Sequence, residues 1–278
     1  MALTGIFVSC NNNDLQPEEF GTFQLYFDNM VGSNDLVLKN PGSTDFNYET
    51  ATGQKFNISM LGYYVSKIKL QGPNGELFED EVSISASESK GYYQVLEDEP
   101  SSHNIVMTNI PAGTYNSITF TIGIEEDGVQ EGAAGGVLDP ARGAWFWNWN
   151  AGYIGFGFEG TAENSPQPYV DWGGGFESQE KTFAIHVGGW KDVAGNENFA
   201  NNVRTITLDF GTTITVADDL SPIAHVVTDV LKLMDGTSID FGTTYSVHAP
   251  KAGKPFADQL NEAFIIHHVH QSSGSHGN

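Results

Sequence analysis

Short runs in which apolar and polar residues alternate recur along most of the chain. Phe23, Leu25 and Phe27 alternate with polar neighbours, as do Ile118, Phe120 and Ile122. Successive side chains of an extended backbone point to opposite faces, so a period of two marks strands with one buried face. The pattern predicts strands over 22–28, 55–64 running on to 67–70, 82–84, 92–96, 104–108, 117–124, 145–149, 154–159, 182–187 and 204–210. Turn chemistry separates them at Gly72-Pro73-Asn74-Gly75, Pro111-Ala112-Gly113, Asp139-Pro140, Asp171-Trp172-Gly173-Gly174-Gly175 and Ala194-Gly195-Asn196. Helical signals are scarce. Residues 221–227, opening on Ser221-Pro222, read as a short capped turn or helix with proline at its first position. Residues 257–264 set Leu260 and Phe264 four apart, on one face of a second short helix. With no internal repeat and no linker after residue 20, the expected fold is all-β: one antiparallel β-sandwich over 20–278 with a few short helices.

Composition agrees. A chain of 278 residues with 32 glycines, 18 phenylalanines and 10 tyrosines suits many short strands joined by tight turns around a sizeable core. The formal charge of −23, from 35 acids against 12 bases, argues against nucleic acid or an anionic membrane surface as partner. Most of the carboxylates are accounted for by a solvated acidic surface. No apolar run reaches transmembrane length.

The single cysteine, Cys10, rules out an intrachain disulfide. It follows the apolar run Leu3-Thr4-Gly5-Ile6-Phe7-Val8-Ser9 and precedes the polar Asn11-Asn12-Asn13-Asp14. This resembles the end of a bacterial lipoprotein signal, with Phe7 where leucine is usual and no basic region before it. On that reading residues 1–19 are a signal remnant and tether. Cys10 is then the acylated mature N-terminus of a cell-envelope protein held at the outer membrane, facing the periplasm or the cell surface. The alternative is a frayed cytosolic N-terminus with an incidental thiol.

The chain carries no GxSxG elbow, HExxH or phosphate-binding loop, so it is not expected to be an enzyme. Glu125-Glu126-Asp127 are adjacent carboxylates that face alternate ways on a strand and suit a solvated loop, although a glycosidase could pair carboxylates distant in sequence. Three of the five tryptophans, Trp145, Trp147 and Trp149, stand at alternate positions and are expected to share one strand face. His268 and His270 have the same spacing, which gives a pair of imidazoles the geometry of a metal clip. His186 sits in the apolar run 183–189, where a lone buried histidine is more often a satisfied core residue than a ligand. Imidazole suits copper, zinc, iron and nickel alike. Without a second cysteine or a second HxH, a closed structural zinc site is excluded. His276, in the polar tail, could only collect metal loosely.

Several segments in order resemble the MbnP-like proteins, copper-binding partners of methanobactin-type and related bacterial copper systems. Phe23–Phe27 looks like the family's opening strand, and Tyr63-Tyr64-Val65-Ser66-Lys67-Ile68-Lys69-Leu70 is similar to its YVSNIRL stretch. Pro111-Ala112-Gly113-Thr114-Tyr115 and Phe120-Thr121-Ile122-Gly123-Ile124 resemble its PAGTY and FTIGV. Trp147-Asn148-Trp149-Asn150-Ala151-Gly152-Tyr153, His186-Val187-Gly188-Gly189 and His268-Val269-His270 complete the series. The resemblance implies a β-sandwich, an exported location and copper as ligand, held by histidines together with a tryptophan that a MauG-type dihaem oxidase converts to kynurenine. Carried onto this sequence, it makes Trp147 the modified position, Trp149 its neighbour, and His186, His268 and His270 the imidazole ligands. The expectation is one copper site at one end of the sandwich, in an exported, lipid-anchored protein that works with outer-membrane transport machinery. The alternative is a non-catalytic accessory subunit of an outer-membrane complex without metal function.

Overall fold

The alternation read at the start of the chain is visible side chain by side chain in the computed structural model, which describes residues 19–85, 87–130 and 135–271. Strand β1 (Phe20–Val31) buries Phe23, Leu25 and Phe27 completely and leaves the intervening residues partly exposed. The other principal strands are β2 (Lys55–Gln71), β3 (Asn104–Pro111), β4 (Gly113–Ile122), β5 (Phe146–Asn148), β6 (Gly152–Ala162), β7 (Thr182–Gly188), β8 (Arg204–Val216), β9 (Ile223–Asp229), β10 (Ser246–Val247) and β11 (Phe264–His270). Of the two large sheets among the described residues, one runs β11–β9–β1, with β3 also paired to β1, and one runs β8–β4–β2–β6–β7–β10, with β5 against β6. Antiparallel pairing dominates, and β1–β9 and β7–β10 are parallel. The fold is the expected all-β sandwich.

Aromatic rings fill the space between the sheets. Phe27 meets Tyr63 and Phe120 edge-on at 5.6 and 5.8 Å, and Tyr63 stacks on Phe156 at 5.2 Å. A buried phenol needs partners. The Tyr63 hydroxyl donates to Asn29 Oδ1 at 2.9 Å and lies 3.0 Å from Thr228 Oγ1. Burial raises its pKa well above the ordinary phenol value.

Tyr64, next along β2, must point the other way. It belongs to a separate apolar cluster with Tyr92, Ile124, Val129, Leu138, Tyr153 and Trp190, against which Trp145 and Phe146 also pack. The Trp145 amide donates to the Tyr64 hydroxyl at 3.0 Å, and the Tyr153 hydroxyl donates to Leu138 O at 2.7 Å.

Three local expectations need correction. Residues 221–227 do not begin a helix. Ile223–Asp229 is strand β9, central in its sheet, with Ala224 and Val226 buried in the core. The β-branched run Val226-Val227-Thr228 favours a strand, and Pro222 lies just before it, where its missing N–H costs nothing. The helix comes later, as α1 (Val230–Gly236), capped by the Asp229 carboxylate, which accepts from Leu231 N at 3.0 Å and Gly32 N at 2.8 Å.

The second helical signal is displaced. Helices α2 (Pro250–Ala257) and α3 (Leu260–Ala263) end before Phe264, which is extended and packs against Phe27, Tyr63 and Phe120. Core burial of that ring outweighs a local i,i+4 contact.

The tryptophan strand shrinks to Phe146–Asn148, because the Asn148 side chain accepts from Asn150 N and Ala151 N and turns the chain. The register against β6 is broken between Phe146 and Asn148, so the three indoles do not form one row. Trp149 is 55% exposed and meets Phe146 at 4.9 Å. Cys10 and His276 lie outside the described residues. Among the described residues, no helix is long and apolar enough to cross a membrane.

Candidate metal centres

Two separate groups of histidines stand on the outer faces of the two sheets. The first is built on β7. Phe183, Ile185 and Val187 point into the core, so His186 points outward. Its Nε2 lies 2.7 Å from Glu159 Oε1 on the neighbouring β6, and its Nδ1 lies 3.0 Å from Nδ1 of His248. His248 follows β10, which pairs with β7 at Ile185↔Val247. With Nε2–H donating to the carboxylate, the Nδ1 lone pair of His186 is turned toward His248. Burial, helped by the adjacent His186, lowers the pKa of His248 and favours its neutral, ligand-competent form.

Trp147 belongs to this neighbourhood. Its ring packs on Gly188, two residues along the same strand face from His186. A Cβ at Gly188 would come 2.9 Å from Trp147 Cζ3 and 2.4 Å from Tyr153 O. Trp147 and His248 line one open cleft with Asn148, Phe199 and Pro250, and His248 also borders a second cleft lined by Glu159, Trp172 and Tyr245. Trp149 lines neither cleft.

The second group is built on β9 and β11. His225 and His268 are direct cross-strand partners, with rings stacked at 4.2 Å. The register shifts next to them: Val226 pairs with Ile266 and His225 with His268, leaving His267 as an extra, bulged residue. Ile266 and Val269 both pack against the core, and the bulge turns His268 and His270 to the face of His225. His268 Nε2 is 3.0 Å from His270 Nε2, and His225 Nδ1 is 3.1 Å from Asp28 Oδ2 on β1. The ligand-capable atoms of His225, His268 and His270 all lie within 4.8 Å of one another. Slight desolvation, together with the neighbouring imidazoles, lowers the pKa of His268.

His268 and His270 therefore do not converge with His186 and Trp147 as the sequence led us to expect. They lie on different sheets, and both sets of imidazoles point away from the shared core. His225 and His248 were not anticipated. A signal for His225 existed in the strand-like Ile223-Ala224-His225-Val226-Val227-Thr228. His248 has no local signal, since the two-residue pairing of β10 with β7 places it.

A two-sheet sandwich with histidine groups on its outer faces is the class that this geometry defines. The MbnP family model matches residues 20–249, and the chain belongs to the MbnP family. MbnP from Methylosinus trichosporium has a similar solved structure, with a TM-score of 0.52 and 14% sequence identity. The match covers 92% of this chain and 100% of that one, and at this identity it shows a shared fold. No curated protein matches the sequence.

Proposed function

We propose that this protein is an exported, lipid-anchored, non-catalytic copper-binding protein of the bacterial cell envelope, serving copper acquisition or handling. The observation that carries this reading is the 3.0 Å contact between Nδ1 of His186 and Nδ1 of His248, at a cleft that Trp147 also lines. Two ring nitrogens facing each other at this distance form the start of a metal site, and copper stands first among divalent ions for such ligands. Glu159 supplies the outer support that ligating histidines commonly have.

Trp147 is the further ligand position. An intact indole offers only an N–H donor and a π-face. Opening of the indole C2–C3 bond to kynurenine by an external dihaem oxidase of the MauG type, with peroxide or dioxygen as oxidant and C2 released as formate, would give it an aniline nitrogen able to ligate. The protein is then a substrate of that oxidase and passes copper to outer-membrane transport machinery, with Cys10 carrying the lipid.

The test is metal analysis and intact mass of protein purified from its native host. Stoichiometric copper and a mass increase localised to Trp147 are expected. The double variant His186→Ala/His248→Ala should fold and bind one equivalent of copper fewer than the unaltered protein; an undiminished copper content would overturn the assignment of the site. Cys10→Ala should release the protein from membranes.

A further inference from the structure

We infer that His225, His268 and His270 form a second metal site, independent of the Trp147 cleft, for a divalent transition-metal ion of borderline softness such as copper(II) or zinc(II). Three imidazoles from two strands bring ligand-capable atoms within 4.8 Å of one another on the outer face of the sheet. Nothing about packing requires this, because the position is a partly solvated strand face that any polar residue could occupy. The grouping depends on the His267 bulge, without which the alternation of β11 would not hold both Ile266 and Val269 to the core and His268 and His270 to the opposite face.

The nitrogens are close enough for one metal ion, and the His225 ring must turn out of its 4.2 Å stack on His268 before its lone pair can join theirs. Asp28 accepts from His225 Nδ1–H at 3.1 Å, which leaves Nε2 of His225 free as a ligand. Nε2 of His268 faces Nε2 of His270 at 3.0 Å, and at most one of those nitrogens can carry the proton between them. A metal ion takes both lone pairs once that proton has moved to Nδ1 of its own ring. Three neutral nitrogens with an open side are a donor set for copper(II) or zinc(II), with copper(II) bound more tightly. The family match ends at residue 249, so His268 and His270 lie beyond the region common to the family model.

The two sites can be tested separately on the full chain by equilibrium dialysis against copper(II) and zinc(II). Protein lacking the cleft ligands through His186→Ala/His248→Ala should still bind one equivalent. Adding His268→Asn/His270→Asn to that background should abolish this binding, with an unchanged circular dichroism spectrum and melt. His267 and His276 remain in the combined variant, so the loss would not reflect a general shortage of imidazoles. Asp28→Asn keeps all three ligands and should weaken binding by about 10- to 100-fold. Copper(II) in the His186→Ala/His248→Ala protein should show imidazole nitrogen coupling in its paramagnetic resonance spectrum. Absence of stoichiometric binding in that protein, or full binding after loss of His268 and His270, would overturn the site. Neither result bears on the cleft, whose own reading is tested by the equivalent of copper lost with His186 and His248 and by the mass of Trp147.

Discussion

His186 and His248 face each other through their Nδ1 atoms at 3.0 Å although 62 residues separate them in sequence. The contact is possible because Glu159 fixes the opposite nitrogen of His186. Glu159→Gln keeps an oxygen acceptor but removes the charge that makes the imidazole a stronger donor to metal. Copper affinity at the cleft should fall by about 10- to 100-fold, read by competition with a chelator of known affinity.

His248 should titrate below the ordinary imidazole value of 6.5 in metal-free protein, because burial and His186 disfavour its charged form. As pH falls below 6.5 the unfolded chain takes up this proton before the folded one. The contribution of His248 to stability is therefore complete above pH 6.5 and is lost as pH falls through its depressed folded value. Ring-proton resonances should report the low midpoint, and His186→Asn should move it upward. A midpoint at or above 6.5 would contradict the burial argument.

Gly188→Ala should destabilise the protein by about 1–3 kcal/mol and displace the Trp147 ring. The added methyl would meet Tyr153 O at 2.4 Å and Trp147 Cζ3 at 2.9 Å, and the carbonyl belongs to a paired strand that cannot easily yield. Denaturant unfolding measures the loss, and a change in tryptophan emission reports the displaced ring.

Tyr63→Phe conserves the stacking on Phe156 but strips the hydroxyl shared by Asn29 and Thr228. Leaving these buried groups without that partner should cost about 1–3 kcal/mol. Asn29→Ala introduced with it should cost less than the sum of the two single changes, because both remove the same bond.

The sandwich was legible because its signal is local and repeated: Phe23, Leu25 and Phe27 alternate, and so does the core they enter. The histidine groups were legible only in part. His186 and the His268–His270 pair stand out as residues, but which of them meet is decided by sheet assignment, which lies far from either segment in sequence. Strand β9 was hidden by Ser221-Pro222, a helix-start signal overridden by parallel pairing with β1. The tryptophan row failed for a similarly small reason, since one Asn148 side chain bends the segment after three strand residues. The His267 bulge has no sequence signature of its own, yet it decides which face of the strand carries His268.

Because Tyr63 and Tyr64 turn to opposite sides of one strand, the buried apolar residues fall into two clusters of unequal size. The cluster around Tyr64 rests, among the described residues, on seven buried side chains and a few phenol hydrogen bonds, and Trp145 and Phe146 of the segment that carries Trp147 pack against it. Amide protons around Trp145 and Tyr153 should exchange through partial openings that leave those of β1 and β9 protected. An enzyme that must reach a tryptophan on this segment could then engage it during such an opening, while the sandwich and the imidazoles on its far face stay folded.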